Sequence, residues 1–187
     1  MSFPGIPSLD AAVMAFIQTH FHNTVTDTVF PIITSLGEAG IGWIVLSLVL
    51  LCFKKTRRTG GLVLIAMTVT LLFGELTLKN IICRLRPCNV FTDFPMLIAR
   101  PTSYSFPSGH TSSSFAAALI LTLRHKKVGW LAYIPAVLIA FSRIFLFVHY
   151  PTDVLAGILL GTLAALLTYF AAKAIQKRQA EKRTAKI

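Results

Sequence analysis

Apolar residues run almost unbroken through most of this chain, in stretches near 20 residues, and polar residues gather between them. Continuous runs of that length predict membrane-spanning helices, because a helix needs about 20 apolar residues to cross the hydrocarbon core. A membrane β-barrel would instead show short alternating segments. The pattern predicts spans near residues 33–53, 61–82, 108–123, 128–148 and 151–175. The start of the first is blurred by Gly37, Glu38, Gly40 and Gly42. Residues 9–22 are too short to span. Leu9, Val13, Phe16, Ile17 and Phe21 form one stripe, with Asp10, Gln18 and His22 off it, so this segment predicts an amphipathic helix at the interface or against the bundle. A polar, proline-bearing loop is expected over roughly 84–106 and a basic tail over 176–187. The expected fold is an all-α integral membrane bundle: one domain over 1–187, with five spans within 33–175 plus the N-terminal helix.

Composition agrees. The 187 residues are 55% hydrophobic and only 13% charged, with a mean hydropathy of +0.70, whereas soluble domains carry about 25% charged residues. The net charge of +11 would suit a nucleic-acid partner, but its distribution argues for topology instead. Lys54, Lys55, Arg57 and Arg58, then Arg124, Lys126 and Lys127, then Lys173, Lys177, Arg178, Lys182, Arg183 and Lys186 all flank apolar runs, as cytoplasmic anchors do. Nucleic acid is therefore not an expected partner; the bilayer is. Placing those anchors in the cytoplasm puts the N-terminal helix, the 84–106 loop and the 149–153 turn on the opposite side. The Met-Ser-Phe-Pro-Gly start lacks the basic region of a secretory signal. Cys52, Cys83 and Cys88 show no metal-type spacing, and Cys83 and Cys88 read as packing residues rather than a pair.

The remaining basic residues, Lys79, Arg84, Arg86, Arg100 and Arg143, fall together at the non-cytoplasmic face, against the positive-inside bias. Residues that break a topology rule together suggest one site. Three clusters carry it. In the first, Lys79 and Arg86 are seven residues apart, about two helical turns, which predicts one shared face. Two such cations either snorkel to the interface or hold an anion, for which Arg86 has bidentate geometry. In the second, Pro107 and Ser108 predict a helix start and Gly109 a close backbone approach, so the first-turn amides either hold an anion or form a plain cap beside His110. Ser112, Ser113 and Ser114 read as helix-packing residues. In the third, Pro151 suits a first helical position. That places His149 just before the helix and Asp153 in its first turn, close enough to orient the imidazole as a base or nucleophile requires. Arg143 lies six residues before His149.

Lys-x6-Arg-Pro, then Pro-Ser-Gly-His, then Ser-Arg-x5-His-x3-Asp, over residues 79–153, resembles the type 2 phosphatidic acid phosphatase superfamily, which includes lipid phosphate phosphatases, glucose-6-phosphatase and vanadium haloperoxidases. The resemblance implies that His149 attacks phosphorus to form a phosphohistidine, with Asp153 orienting it. His110 would protonate the leaving oxygen and then activate water. Lys79, Arg86, Arg143, Ser108 and the Gly109 amide would hold the phosphoryl oxygens, with no metal or other cofactor. Glu75, four residues before Lys79, reads as its structural partner. Arg84 and Arg100 lie outside the motif; they either meet a second phosphate or lipid headgroup, which would favour a diphosphate substrate, or are solvated loop charges. The compact chain resembles bacterial members acting on undecaprenyl pyrophosphate, phosphatidylglycerol phosphate or phosphatidate, and an outward site suits the first. Gly157-x3-Gly161 reads as a contact within the bundle rather than between chains.

Overall fold

A computed structural model describes residues 3–184; Met1, Ser2 and Lys186, used above in the signal and tail readings, lie outside it. Helix α1 is Ser8–His20, α2 Thr24–Leu36, α3 Ile41–Cys52, α4 Arg57–Thr70, α5 Lys79–Ile82, α6 Pro87–Val90, α7 Gly109–Arg124, α8 Tyr133–Phe145 and α9 Pro151–Thr184. No strand occurs among the described residues.

The bundle is organised on α7, which packs against α9, α4 and α8. Its alanines make this possible: Ala116, Ala117 and Ala118 are fully buried beside Ile120. On α9, Gly157, Gly161, Ala164, Ala165 and Thr168 face inward, while Leu155, Leu159, Leu163 and Leu167 form an exposed stripe suited to lipid. A side chain built on Gly157 or Gly161 would run into Ser108, Thr111 and Ser112 of α7, so both glycines serve contact within the bundle, as expected. Gly161→Ala should therefore separate α7 from α9 and cost about 1–3 kcal/mol. The measurement is a lower melting temperature in detergent, with Leu163→Ala on the lipid stripe as the unaffected control.

Two segments, Arg57–Val90 and Pro151–Thr184, are long and apolar enough to cross a bilayer. A third candidate is broken: α2 and the segment Glu38–Cys52 pass together, bent by 44°. The segment expected to span at 33–53 is joined to a helix that starts at Thr24. The capping box of Asn23 and Thr26 nucleates α2. Gly37 ends it, and Ala39 and Gly40 then adopt positive φ, so the blur in the sequence is a real break. The third and fourth expected spans are α7 and Gly129–Phe145, each shorter than eighteen residues. The tail expected to start at 176 continues α9 as an exposed helix to Thr184. The basic loops 54–58 and 124–127 meet at one end, where Thr59 Oγ1 lies 3.0 Å from His125 Nε2.

Helix α1 docks on α8 and α9, and its inward face carries Asp10 and Gln18 beside the apolar Met14 and Ile17. Asp10 is fully buried, and Gln18 donates to the carbonyls of Ile144 and Phe145. Of the expected apolar stripe, Ile17 is buried while Leu9 and Phe16 are exposed. The polar groups on the docked face are held by partners inside, as burial requires.

Candidate active site

A cavity of about 1150 Å³ opens between the α2–α3 break, α4, α5, the 98–103 loop and the start of α7. Lys79, Arg86, Arg100, Gly109, His110, Arg143 and His149 line it, together with Glu38 and Glu75. Ile44, Leu64, Met67 and Leu71 add apolar lining.

The expected helical face shared by Lys79 and Arg86 does not exist. α5 ends at Ile82, Cys83 takes a left-handed conformation, and Arg86 is extended at φ −72°, ψ 151°. Pro87 imposes that conformation on the residue before it. The two cations nevertheless reach one cavity, since the chain turns back over the end of α5. The stretch Leu71–Leu78 before Lys79 is π-helical, which widens the helix and sets Glu75 against the start of α7. Lys79 Nζ donates to Glu75 at 2.8 Å, so the expected pair forms. A side chain on Gly109 would collide with the Glu75 carboxylate. The close approach that the glycine permits is therefore by an acid of this chain, at the helix N-terminus where an anion belongs.

His149 sits in the loop between α8 and α9 and is almost wholly buried. Its amide and that of Val148 both donate to the Arg143 carbonyl, so the backbone of Arg143 fixes the loop that carries it. Nδ1 lies 3.4 Å from Asp153 Oδ2, long for a hydrogen bond, while Arg86 Nη1 lies 2.9 Å from Nε2. An arginine can only donate. Nε2 therefore carries the lone pair and Nδ1 the proton, the tautomer in which the cavity-side nitrogen is nucleophilic. Burial first, then Arg86, Arg143 and Lys79, hold the imidazole well below its ordinary pKa and keep it neutral.

Asp153 is fully buried and heavily held: it accepts from Arg84 Nη1 at 2.7 Å, the Tyr150 amide at 2.9 Å and the Ser105 hydroxyl. His110 Nε2 lies 3.5 Å from Glu38 Oε2 in the α2–α3 break. Arg143 donates to Thr34 at 2.5 Å, and its buried Nε has no partner among the described residues.

Ser108 is fully buried and does not line the cavity; its amide donates to the Asp153 carbonyl and its hydroxyl accepts from Thr111. Trp43 donates to Ser114, consistent with helix packing. Arg84 is a paired rather than a free charge: it meets Asp10 and Asp153 at 2.7 Å each. Arg100 lines the cavity but donates to the carbonyls of Cys88, Thr92 and Phe94. Cys83 and Cys88 are unpaired, and Cys83 is exposed rather than packed. Sequence reading missed Thr34, Glu38, Ser103, Ser105 and the role of Asp10. Of these only Glu38 carried a signal, an acid among glycines at the blurred start of a span.

The PAP2 superfamily model matches residues 59–177 and so covers every cavity cation and both histidines. The chain belongs to the PAP2 superfamily. It is 39% identical over 127 residues to an undecaprenyl-diphosphatase of Sulfolobus acidocaldarius, a match spanning 67% of this chain but only 61% of that relative. It is 31% identical to the undecaprenyl-diphosphatase BcrC of Bacillus subtilis, over 79% of this chain and 76% of that one. The crystal structure of a PAP2-type phosphatidylglycerolphosphate phosphatase from Bacillus subtilis superposes with a TM-score of 0.73 at 29% identity, covering 92% of this chain and 89% of that one.

Proposed function

We propose that this PAP2 protein is a metal-independent membrane lipid phosphatase that converts undecaprenyl pyrophosphate to undecaprenyl phosphate through a phosphohistidine on His149. One observation carries the reading. A neutral, buried His149 accepts from Arg86 at the edge of a cavity lined by four cations and by apolar side chains. The cations suit a phosphate and the apolar lining a lipid tail.

Nε2 attacks phosphorus in line with the leaving oxygen, and Arg86 transfers its hydrogen bond from Nε2 to a phosphoryl oxygen. Asp153 balances the positive imidazole that results. His110 gives its proton to the leaving oxygen, then takes one from the water that cleaves the N–P bond. Lys79, Arg86 and Arg143 stabilise charge on the equatorial oxygens, the task that magnesium performs elsewhere. The Gly109 amide adds a donor at the start of α7, whereas Ser108 acts from behind by fixing the start of α7 to α9.

Five crossings, with the Lys54–Arg58 and Arg124–Lys127 loops and the C-terminal helix in the cytoplasm, put the cavity on the outer face of the cell membrane. The two relatives above support undecaprenyl pyrophosphate as substrate. Phosphatidylglycerol phosphate is the second reading. The 0.73 superposition favours it, and the ties of Arg84 and Arg100 to this chain's own acids and carbonyls remove the charge argument for a diphosphate. Phosphate release in detergent from undecaprenyl pyrophosphate, phosphatidylglycerol phosphate and phosphatidate separates the readings. The first should be turned over fastest, and excess EDTA should leave its rate unchanged. Strong EDTA inhibition refutes the metal-free mechanism; silence on all three lipids refutes the phosphatase.

A further inference from the structure

The N-terminal helix carries an acid that the reaction described above does not use. Asp10 is fully buried, 142 residues away in sequence from the first turn of α9, where it accepts from the Thr152 amide at 2.9 Å and the Thr152 hydroxyl at 2.7 Å. Its third donor is Arg84 Nη2 at 2.7 Å. The same guanidinium gives Nη1 to Asp153 at 2.7 Å and lies over the Tyr150 ring, 3.8 Å from its centroid. One arginine thus bridges two wholly buried carboxylates.

Cap chemistry alone does not explain this. A residue that only closed the start of α9 would need Thr152 and nothing more, and a neutral side chain serves that purpose as well as an acid. The charge count explains it. Asp10, Arg84 and Asp153 together carry one net negative charge, on the Nδ1 side of His149. Without Asp10, Arg84 cancels Asp153, and the imidazole faces a neutral pair when it becomes positive. Both carboxylates are wholly buried and Arg84 is only partly exposed, so screening of the trio by water is weak and the difference is felt.

We infer that Asp10 is a positioning residue for the reaction: it holds and neutralises Arg84, so that the charge of Asp153 remains available to His149. The interfacial helix is then part of the active-site electrostatics, and only docked α1 gives a fully competent His149. The inference rests on the phosphohistidine reading above.

Its test uses two variants of the full-length protein in detergent, assayed on whichever of the three lipid phosphates the wild type turns over fastest. Asp10→Asn keeps the shape and removes the charge. It should lower kcat about tenfold, the scale typical of supporting hydrogen-bond partners, with KM unchanged. It should also move the acidic limb of the pH–kcat/KM profile to lower pH, because loss of a nearby negative charge makes His149 easier to deprotonate. Arg84→Gln removes the bridging cation and should move the same limb to higher pH. The other groups around His149, namely Lys79, Arg86, Ser105, His110 and Arg143, are the same in both. Opposite shifts are what a charge role requires. A merely structural tie would lower the melting temperature and leave both limbs in place, and that result overturns the inference. If Asp10→Asn does not elute as folded protein, the Arg84→Gln limb alone decides: a rise supports the inference and a fixed limb overturns it. Wild-type protein that releases no phosphate from any lipid refutes the phosphatase reading and this inference with it, whereas active wild type with unmoved variants refutes the inference alone.

Discussion

Replacing His149 with alanine is expected to reduce phosphate release at least about a thousandfold, the scale seen when a covalent nucleophile is removed. The structure gives little room for a substitute. His110, the other histidine of the cavity, has Glu38 beside its Nε2 rather than a buried aspartate behind its ring, and it stands at the start of a different helix. The folded state should tolerate the change, because the loop is fixed by backbone hydrogen bonds to the Arg143 carbonyl, which alanine retains. The deciding measurement is covalent. With a lipid phosphate labelled on its terminal phosphorus, wild type quenched in alkali during turnover should carry label on protein, and His149→Ala should carry none. His110→Ala sharpens this: given an aryl phosphate, whose leaving group needs no acid, it should form the labelled species and hydrolyse it slowly. Label on protein in His149→Ala would exclude His149 as the nucleophile. The acidic limb of the wild-type kcat/KM profile should also lie below the ordinary imidazole value of about 6.5. Burial and three cations disfavour the protonated ring, so attack competence persists into mild acid and is lost only as pH falls through the depressed value.

How much of this was legible depends on what each signal encodes. The apolar runs and basic anchors record the bilayer directly, so α4–α5, α7 and α9 were placed nearly where they lie. The break at Gly37–Gly40 was visible only as a blur, because glycine marks permitted φ rather than the direction the chain takes; the Asn23 cap that starts α2 is a local signal that was passed over. Lys79 and Arg86 share a cavity but not a helix face: helical spacing ends at Cys83, where the chain turns left-handed, and the two meet because the polypeptide folds back. His149 and Asp153 were legible since the tie is local, within one turn of a proline-started helix. Ser105, Thr34 and Asp10 were not. Their roles arise from contacts across 48, 109 and 142 residues of sequence, and a lone serine or aspartate carries no mark of its distant partner. Asp10 lies off the apolar stripe, and amphipathic patterning alone sends such a residue outward, whereas it is buried here.

Arg143→Ala is expected to lower kcat/KM about a hundred- to a thousandfold, on the scale of losing one preorganised donor to a developing oxyanion, while the melting temperature falls little. The separation follows from the partners of this side chain. Its hydrogen bond to Thr34 is neutral, and no carboxylate lies within ion-pair distance among the described residues, so truncation strands no buried counter-charge. Its carbonyl, which organises the 146–149 loop, is unaffected. A nearly wholly buried guanidinium without a counter-ion is costly in the resting protein, and its partnerless Nε is the kind of donor that an anion completes. Arg86 is different: it also holds Ser103 and the Val148 carbonyl, so Arg86→Ala should cost stability and activity together. Arg143→Lys distinguishes charge from geometry. A lysine restores the positive charge but not the planar fork, so most of the loss should persist if the guanidinium grips two phosphoryl oxygens. Full recovery by lysine would reduce Arg143 to a point charge. A phosphate analogue such as vanadate should follow the same order, binding wild type more tightly than Arg143→Lys and that variant more tightly than Arg143→Ala; equal binding to all three would remove Arg143 from the phosphate site.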